Sequence, residues 1–116
     1  MSVKNINDLP YEGISAGAKA SRQVLISSEE APNFAMRRFV IKAGGYMPEH
    51  TNTVEHEQYV LGGSALITIG DKQYNVSRDD IVFIPAGVPH SYKVMGETDF
   101  QFLCLIPNKP DVITLK

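Results

Sequence analysis

The chain has little of several residue types, and each shortage excludes a class of protein. A single cysteine, Cys104, excludes an intrachain disulfide and is typical of proteins that work in the reducing cytoplasm. No apolar run approaches the length of a membrane span, and the N-terminus lacks the apolar core of a signal peptide. The formal net charge is -2 without a basic block, so neither nucleic acid nor a membrane is expected as a partner. These shortages predict a cytoplasmic protein.

What the chain does contain is a series of short β-like segments. Its 116 residues, 43% of them hydrophobic, are enough for a single domain with a core. Runs rich in Val, Ile, Tyr and Phe alternate with turn residues, which favours an all-β sandwich or barrel. Gly62-Gly63 and Gly70-Asp71 are predicted to form tight hairpin turns, because such turns need positive φ. The predicted strands are Gln23–Ser27, Phe34–Lys42, His56–Leu61, Ala65–Ile69, Gln73–Val76, Ile81–Ile84, His90–Met95 and Phe100–Ile106.

The two ends of the chain differ from its middle. Residues 1–21 are rich in Gly, Ala and Ser and are predicted to form an N-terminal arm with little core of its own. Residues 22–107 contain the predicted strands and form the barrel. Residues 108–116 are expected to form a C-terminal tail, since Pro107 and Pro110 limit regular strand pairing there.

The three histidines are the most informative residues of the chain. His50 and His56 lie between Gly44-Gly45 and Gly62-Gly63, and His90 follows a segment that is rich in Pro and Gly. Imidazole is the commonest metal ligand, and three protein ligands with open positions are typical of a reactive site. We therefore predict that these histidines bind one divalent transition metal. Imidazole suits Fe, Ni, Cu and Zn, whereas Mn prefers more oxygen ligands. The identity of the metal stays open among these five.

Alternation along the predicted strands indicates which other side chains share the interior with the histidines. If His56 and His90 point inward, every second residue of their strands does so too. In two further strands, Lys42 and Gln101 are expected to face solvent. Residues at odd spacing from them, among them Arg37 and Phe102, then face inward. The resulting mixture of polar and apolar side chains is more typical of a binding pocket than of a dry core. We predict that the substrate pocket is lined by Arg37, Gln58, Tyr92, Phe102 and Cys104. The sequence identifies no catalytic residue.

The spacing around the first two histidines resembles the first motif of the cupin superfamily. That motif is Gly, five residues, His, one residue, His, three or four residues, Glu, six residues and Gly. Here Gly44 is followed at these spacings by His50, Asn52, His56 and Gly63. Asn52 stands where the second His is usual, and His56 stands where the Glu is usual.

The segment around His90 resembles the second cupin motif, which is Gly, five residues, Pro, one residue, Gly, two residues, His, three residues and Asn. Pro85, Gly87 and His90 match at these spacings, while Asp79 replaces the first Gly and Val94 replaces the Asn. Asp is tolerated at a left-handed turn position, so the replacement of Gly at position 79 is compatible with the motif.

The resemblance implies a cupin jelly-roll β-barrel of the small, single-domain cupin 2 type. Segments such as Ala31–Phe34 and Phe102–Pro107 also resemble the small cupins that bind manganese through four histidines. Asn52 departs from that set. It is a weak amide-oxygen ligand, and so a further candidate for the metal site, or a residue that forms hydrogen bonds to the ligands, or a loop residue that has lost the ligand.

The predicted function is that of a metal-dependent, dioxygenase-like oxidoreductase. Three neutral imidazoles leave a divalent ion its full charge, which favours a small anionic or chelating substrate. One alternative is Lewis-acid chemistry without redox change. Two further alternatives are a non-enzymatic module that binds a small ligand or a metal, and a degenerate cupin without metal.

We also expect a homodimer. A small barrel has exposed strand edges that natural β-proteins cover, and Tyr59 and Leu61 are predicted to point outward as apolar surface. Small cupins commonly pair through such surfaces, so the resemblance agrees. A closed two-fold contact is the commonest arrangement of soluble homo-oligomers.

Overall fold

The computed structural model describes residues 1–115, which form a nearly all-β domain. Every predicted strand is present, and the all-β prediction is confirmed. Two strands are longer than predicted, because β2 begins at Ala18 and β3 continues to Asn52. Within these residues the strands are β1 (Glu12–Gly13), β2 (Ala18–Ile26), β3 (Phe34–Asn52), β4 (His56–Gly62), β5 (Ser64–Ile69), β6 (Lys72–Ser77), β7 (Ile81–Ile84), β8 (His90–Met95), β9 (Phe100–Pro107) and β10 (Ile113–Leu115). No helix in the same range is long and apolar enough to span a membrane.

The long strand β3 joins the two sides of the barrel. Neighbouring strands follow the order β6-β5-β8-β3-β9-β4-β7, and β2 and β10 also pair with β3. The first half of β3 pairs with β9 and its second half pairs with β8. Gly44-Gly45 lies between the halves, where the φ of +81° at Gly44 lets the strand change direction. A Cβ at Gly45 would lie 2.5 Å from the carbonyl oxygen of Ala18, so only glycine fits there.

The turns follow the sequence prediction at one glycine pair and not at the other. Gly70-Asp71 connects the paired strands β5 and β6, so this predicted hairpin is confirmed. The hairpin predicted at Gly62-Gly63 is wrong, because β4 pairs with β7 and β9 while β5 pairs with β6 and β8. This segment instead crosses between the two sides of the barrel. Asp79 has a φ of +74°, which agrees with its expected left-handed turn position.

A row of stacked aromatic rings forms one wall of the interior. The ring centroids of Phe39 and Phe102 are 5.1 Å apart with an interplanar angle of 5°, and those of Tyr92 and Phe102 are 5.3 Å apart with an angle of 11°. All three side chains are buried in the core. Such a row of rings has few rotamers available, so it gives the cavity beside it a rigid apolar surface.

Both ends of the chain pack against the barrel. In the N-terminal region, the buried Gln23 donates from Nε2 to the carbonyl oxygens of Ile6 and Leu9, at 2.7 and 3.1 Å. Strand pairing begins with β1, which we did not predict and which pairs with β2, so it starts ten residues before the predicted start of the barrel. The C-terminal tail contributes β10 (Ile113–Leu115), a strand that we did not predict and that pairs with the end of β3. That pairing brings the tail to the part of the barrel that holds the histidines.

Candidate metal centre

The strands bring the three histidines together at one end of the interior. His50 lies near the end of β3, and His56 and His90 are the first residues of β4 and β8. His50 and His90 are direct partners across the β3–β8 pair. Their ring centroids are 4.2 Å apart, and those of His56 and His90 are 5.8 Å apart. All three side chains are buried and line the same cavity.

Backbone carbonyl groups set the tautomers of two of these rings. The Nδ1 atom of His50 lies 2.8 Å from the carbonyl oxygen of Pro48, and that of His90 lies 3.0 Å from the carbonyl oxygen of Val88. A carbonyl oxygen can only accept, so Nδ1 carries the proton in both rings. The lone pair is then on Nε2, which is the arrangement that metal-binding histidines commonly show.

The third ring, that of His56, has a sulfur atom rather than a carbonyl oxygen beside its Nδ1. Its Nδ1 lies 3.6 Å from the Sγ atom of Cys104, which is buried. Burial lowers the pKa of His56 to about 3, and the charge of Arg37 adds to the lowering. Burial likewise lowers the pKa of His90 to about 4. Both rings are therefore neutral at physiological pH, which is the form that binds a metal.

Asn52 lies beside the histidines with one side-chain atom unpartnered. Its side chain is 5% exposed and lines the same cavity, and its Nδ2 donates to Asp111 Oδ2 at 3.0 Å. Its Oδ1 is buried and has no hydrogen-bond partner. Its backbone oxygen accepts from the amide of Gly87 at 2.7 Å, which ties the end of β3 to the turn before His90.

The three imidazoles are donors that suit a transition metal, but their present spacing does not form a metal site. As the side chains stand, no three His, Cys, Asp or Glu residues within 1–115 form a group that could hold a metal ion. However, Nε2 of His56 and Nε2 of His90 are both buried without a hydrogen-bond partner. Buried polar atoms normally have a partner, and leaving one without costs about 1–3 kcal/mol. A bound ion would partner both nitrogens, and rotation of the side chains would adjust the spacing of the rings around it.

The cavity continues from the histidines toward the aromatic wall and has a volume of about 310 Å³. Four of the five predicted pocket residues line it: Arg37, Gln58, Tyr92 and Phe102. Cys104 faces inward as expected, but its small side chain lies behind those of Arg37 and Gln58 rather than on the cavity wall. Burial raises the pKa of its thiol. Cys104 therefore contacts His56, Arg37 and Gln58 from behind and does not line the cavity itself.

Arg37 is a buried cation without an acidic partner. Its side chain is 8% exposed, and its guanidinium lies 5.0 Å from the centre of the Phe39 ring. Its Nη2 donates to Cys104 Sγ at 3.5 Å, and its Nε has no partner. Neither of the ion pairs found among residues 1–115 includes it. A buried guanidinium with a free donor beside a cavity suits an anionic ligand.

Gln58 and Tyr92 are joined by a buried hydrogen bond. Gln58 Nε2 donates to Tyr92 Oη at 2.7 Å. Burial raises the pKa of the Tyr92 hydroxyl well above its ordinary value, so this group stays protonated at physiological pH. Tyr92 can donate a hydrogen bond in the cavity, but its raised pKa makes it a poor proton donor, and the protonated hydroxyl is unsuited to act as a base.

The sequence reasoning missed the cavity mouth and the partner of Asn52. The mouth is formed by residues 12–16 together with Ile113 and Leu115 of β10, and Asp111 contacts Asn52 from the same tail. All four residues of the run Val112–Leu115 are apolar or β-branched, a strand signal that could have been noticed. Nothing in the sequence indicates that Asp111 reaches Asn52, because their contact spans 59 positions.

The comparisons with known proteins agree with this geometry. The cupin domain family, of the Cupin_2 type, matches residues 37–106, which is more than half of the chain. The chain therefore belongs to the cupin domain family, and the predicted resemblance is confirmed.

Solved structures show the same fold over almost the whole chain. The polyketide cyclase RemF from Streptomyces resistomycificus has a TM-score of 0.90 and 26% sequence identity, over 99% of this chain and 84% of that one. A cupin-2 domain protein from Rhodospirillum rubrum has a TM-score of 0.85 and 22% identity, over 100% of this chain and 80% of that one. The predicted jelly-roll barrel is thereby confirmed.

A curated relative is similar over a shorter part. Acireductone dioxygenase from Cronobacter sakazakii is 30% identical over 69 residues, which are 56% of this chain and 38% of that protein. The chain spans well under half of the length of the first curated relatives that it matches. The likeness leaves most of those proteins unmatched.

Proposed function

We propose that this cupin is a metal-dependent enzyme that acts on a small anionic or chelating substrate. The observation that carries the proposal is the convergence of unpartnered polar atoms on one cavity. Nε2 of His56, Nε2 of His90, Oδ1 of Asn52 and Nε of Arg37 are all buried without a partner, and their side chains line the same space. A bound metal and a bound anion together would satisfy all four.

His50, His56 and His90 would hold the metal, with Asn52 as a further candidate. The ion, one of Fe, Mn, Ni, Cu or Zn, would polarise a chelating oxygen of the substrate or activate a small molecule beside it. The backbone partners of His50 and His90 keep their Nε2 atoms free, and the low pKa values of His56 and His90 keep those rings neutral.

Arg37 would bind the anionic part of the substrate. Its guanidinium lies 5.0 Å from the centre of the Phe39 ring, and its side chain lines the same cavity as the histidines, so an anion bound there would share that cavity with them. We expect Arg37→Met to weaken the binding of oxalate, used as a small anionic chelator, by at least about 10-fold, because charged hydrogen bonds contribute about 1.5–3 kcal/mol. Titration calorimetry measures the change. Lys42→Met, an exposed cation on the same strand, is the control, and equal losses in both variants would contradict the role of Arg37.

The reaction that we favour is dioxygenase-like, with O₂ as the oxidant and an enol or diketone as the substrate class. The 30% identity to acireductone dioxygenase over 69 residues supports this choice. The test is elemental analysis of the purified protein, followed by oxygen-electrode measurements with small enols and diketones. We expect O₂ uptake that requires both metal and substrate. A metal-loaded protein that never consumes O₂ would contradict the redox reaction.

One observation favours a second candidate, Lewis-acid chemistry without redox change. The likeness to the polyketide cyclase covers 99% of this chain, whereas the likeness to the dioxygenase covers 56%. Conversion of a polyketone substrate without O₂ uptake would support this reaction. A protein that binds metal and ligand without turnover would be the non-enzymatic binding module, and a protein that binds no metal would be the degenerate cupin.

The outer face of the barrel suits a second copy of the chain. Tyr59 and Ile81 are paired across β4 and β7, and Phe83 lies on the same edge strand. Their exposed fractions are 42%, 70% and 55%. We expect a homodimer that buries at least about 1,000 Å² in total, and sedimentation at micromolar concentration to give twice the chain mass. Phe83→Asp should shift it toward the monomer, whereas a monomeric parent chain would contradict the proposal.

The single, unpaired Cys104 is consistent with a cytoplasmic location.

A further inference from the structure

Asp111 connects the C-terminal tail to the candidate metal centre. It lies in the tail before β10, and its two carboxylate oxygens accept separate hydrogen bonds. Oδ2 accepts from Asn52 Nδ2 at 3.0 Å, and Oδ1 accepts from the backbone amide of Thr53 at 3.0 Å. The carboxylate thus bridges the side chain of one residue and the backbone of the next.

This bridge determines which end of the Asn52 amide faces the cavity. A carboxylate is an acceptor only, so the Asn52 NH₂ group must point toward Asp111. Oδ1 must then point the other way, and it is buried without a partner in the cavity that the histidines line. Without Asp111, the amide could turn and present NH₂ to the histidines, and an NH₂ group cannot bind a metal.

We infer that Asp111 is a positioning residue, which aims the amide oxygen of Asn52 so that it joins the three imidazoles as an oxygen donor. The inference rests on the proposed metal site and adds a residue from a part of the chain outside both cupin motifs.

The tail has other anchors, which allow its structural role to be separated from this one. The backbone amide of Val112 donates to Thr53 Oγ1 at 2.9 Å, and β10 pairs with residues 50–52 of β3. The Thr53 hydroxyl also donates to the carbonyl oxygen of Pro110 at 3.2 Å and to Asp111 Oδ1 at 3.4 Å. Replacing it loosens the tail, while the shorter bonds of Asp111 to Asn52 Nδ2 and to the Thr53 amide stay in place. Thr53→Val is the matched control variant.

The experiment is a double-mutant cycle on Co²⁺ affinity, with the visible absorption of Co²⁺ as a second readout of its donor set. We expect Asn52→Ala and Asp111→Ala each to weaken Co²⁺ binding by about 10-fold and to change the spectrum alike. The double variant should bind no more weakly than Asn52→Ala, since Asp111 acts only through Asn52. Asp111→Asn should behave like Asp111→Ala. The new amide oxygen would still accept the hydrogen bond from the backbone amide of Thr53, so the new NH₂ group would face Asn52 and attract its oxygen away from the cavity.

Three results would overturn the inference while leaving the metal site intact: an unchanged affinity in Asn52→Ala, additive losses in the double variant, or an equal loss in Thr53→Val. Melting temperatures without metal show whether a variant has lost its fold. A parent chain that binds no Co²⁺ would overturn the proposed function, and this inference with it.

Discussion

Two groups of buried polar side chains share the interior of this barrel, and they differ in whether their atoms find partners. In the first group, Gln58 and Tyr92 are joined at 2.7 Å, and Cys104 receives contacts from Gln58 and Arg37. In the second group, His56, His90 and Asn52 each keep a buried atom without any partner. The first group is complete within the protein, while the second is complete only with something bound.

The difference separates side chains that support the site from side chains that form it. Burying an unpaired polar atom costs stability, so a fold keeps several of them at one place only where function requires it. Arg37 belongs to both groups, because its Nη2 contacts Cys104 while its Nε is unpartnered. Substitutions in the second group should therefore weaken binding and leave the fold intact. Substitutions in the first group should lower stability and leave binding unchanged.

The largest effect is expected from His90→Ala. Loss of one imidazole should weaken metal binding by more than about 100-fold, since losing even an outer partner of a ligand costs 10- to 100-fold. The fold should persist, because the ring makes one hydrogen bond to the protein, from Nδ1 to the carbonyl oxygen of Val88, and its Nε2 makes none. Elemental analysis and circular dichroism measure the two results. A variant that is unfolded without metal would show that the ring is structural and would erase the contrast between the groups.

A second effect concerns the stability of the metal-free protein as the pH falls. His56 and His90 have pKa values of about 3 and about 4 in the folded state, against an ordinary value of 6.5. Below pH 6.5 the unfolded chain gains protons at these positions and the folded chain does not, so folding stability decreases as the pH falls. We expect the decrease in denaturant titrations between pH 6.5 and 5, a range above most carboxylate titrations.

The control for this pH effect is the double variant His56→Gln/His90→Gln. Glutamine does not titrate, so its stability should change less over the same range of pH. An equally steep decrease in the double variant would mean that other groups cause it.

The smallest effect is expected in the supporting group. Tyr92→Phe removes the acceptor of the Gln58 amide and should cost about 1–3 kcal/mol of stability, while metal affinity stays unchanged. Tyr59→Phe is the matched control on the outer face, where the hydroxyl donates to Asp79 at 2.7 Å, and it should change stability by less than about 0.5 kcal/mol. Chemical denaturation measures both. A Tyr92→Phe protein with weaker metal binding would place Tyr92 in the site-forming group.

Local patterns were enough to predict most of the barrel and the inward-facing side chains. A strand has a period of two, so knowing that His56 is buried is enough to predict that Gln58 and Val60 are buried too. The motif spacing placed three histidines at the ends of strands that the barrel brings together. The same local reasoning failed at Gly62-Gly63, because whether two consecutive strands pair depends on the strands that compete for their edges.

The sequence by itself determined the fold class, the three imidazoles and the mixed polar character of the pocket, since each follows from residue types at short spacings. Only the tertiary structure decided which nitrogens are left without partners, that Cys104 lies behind the wall, and that Asp111 holds Asn52. Those features are contacts between residues far apart in the chain. Their geometry depends on how β3 bends and where the tail returns, and no local pattern encodes either.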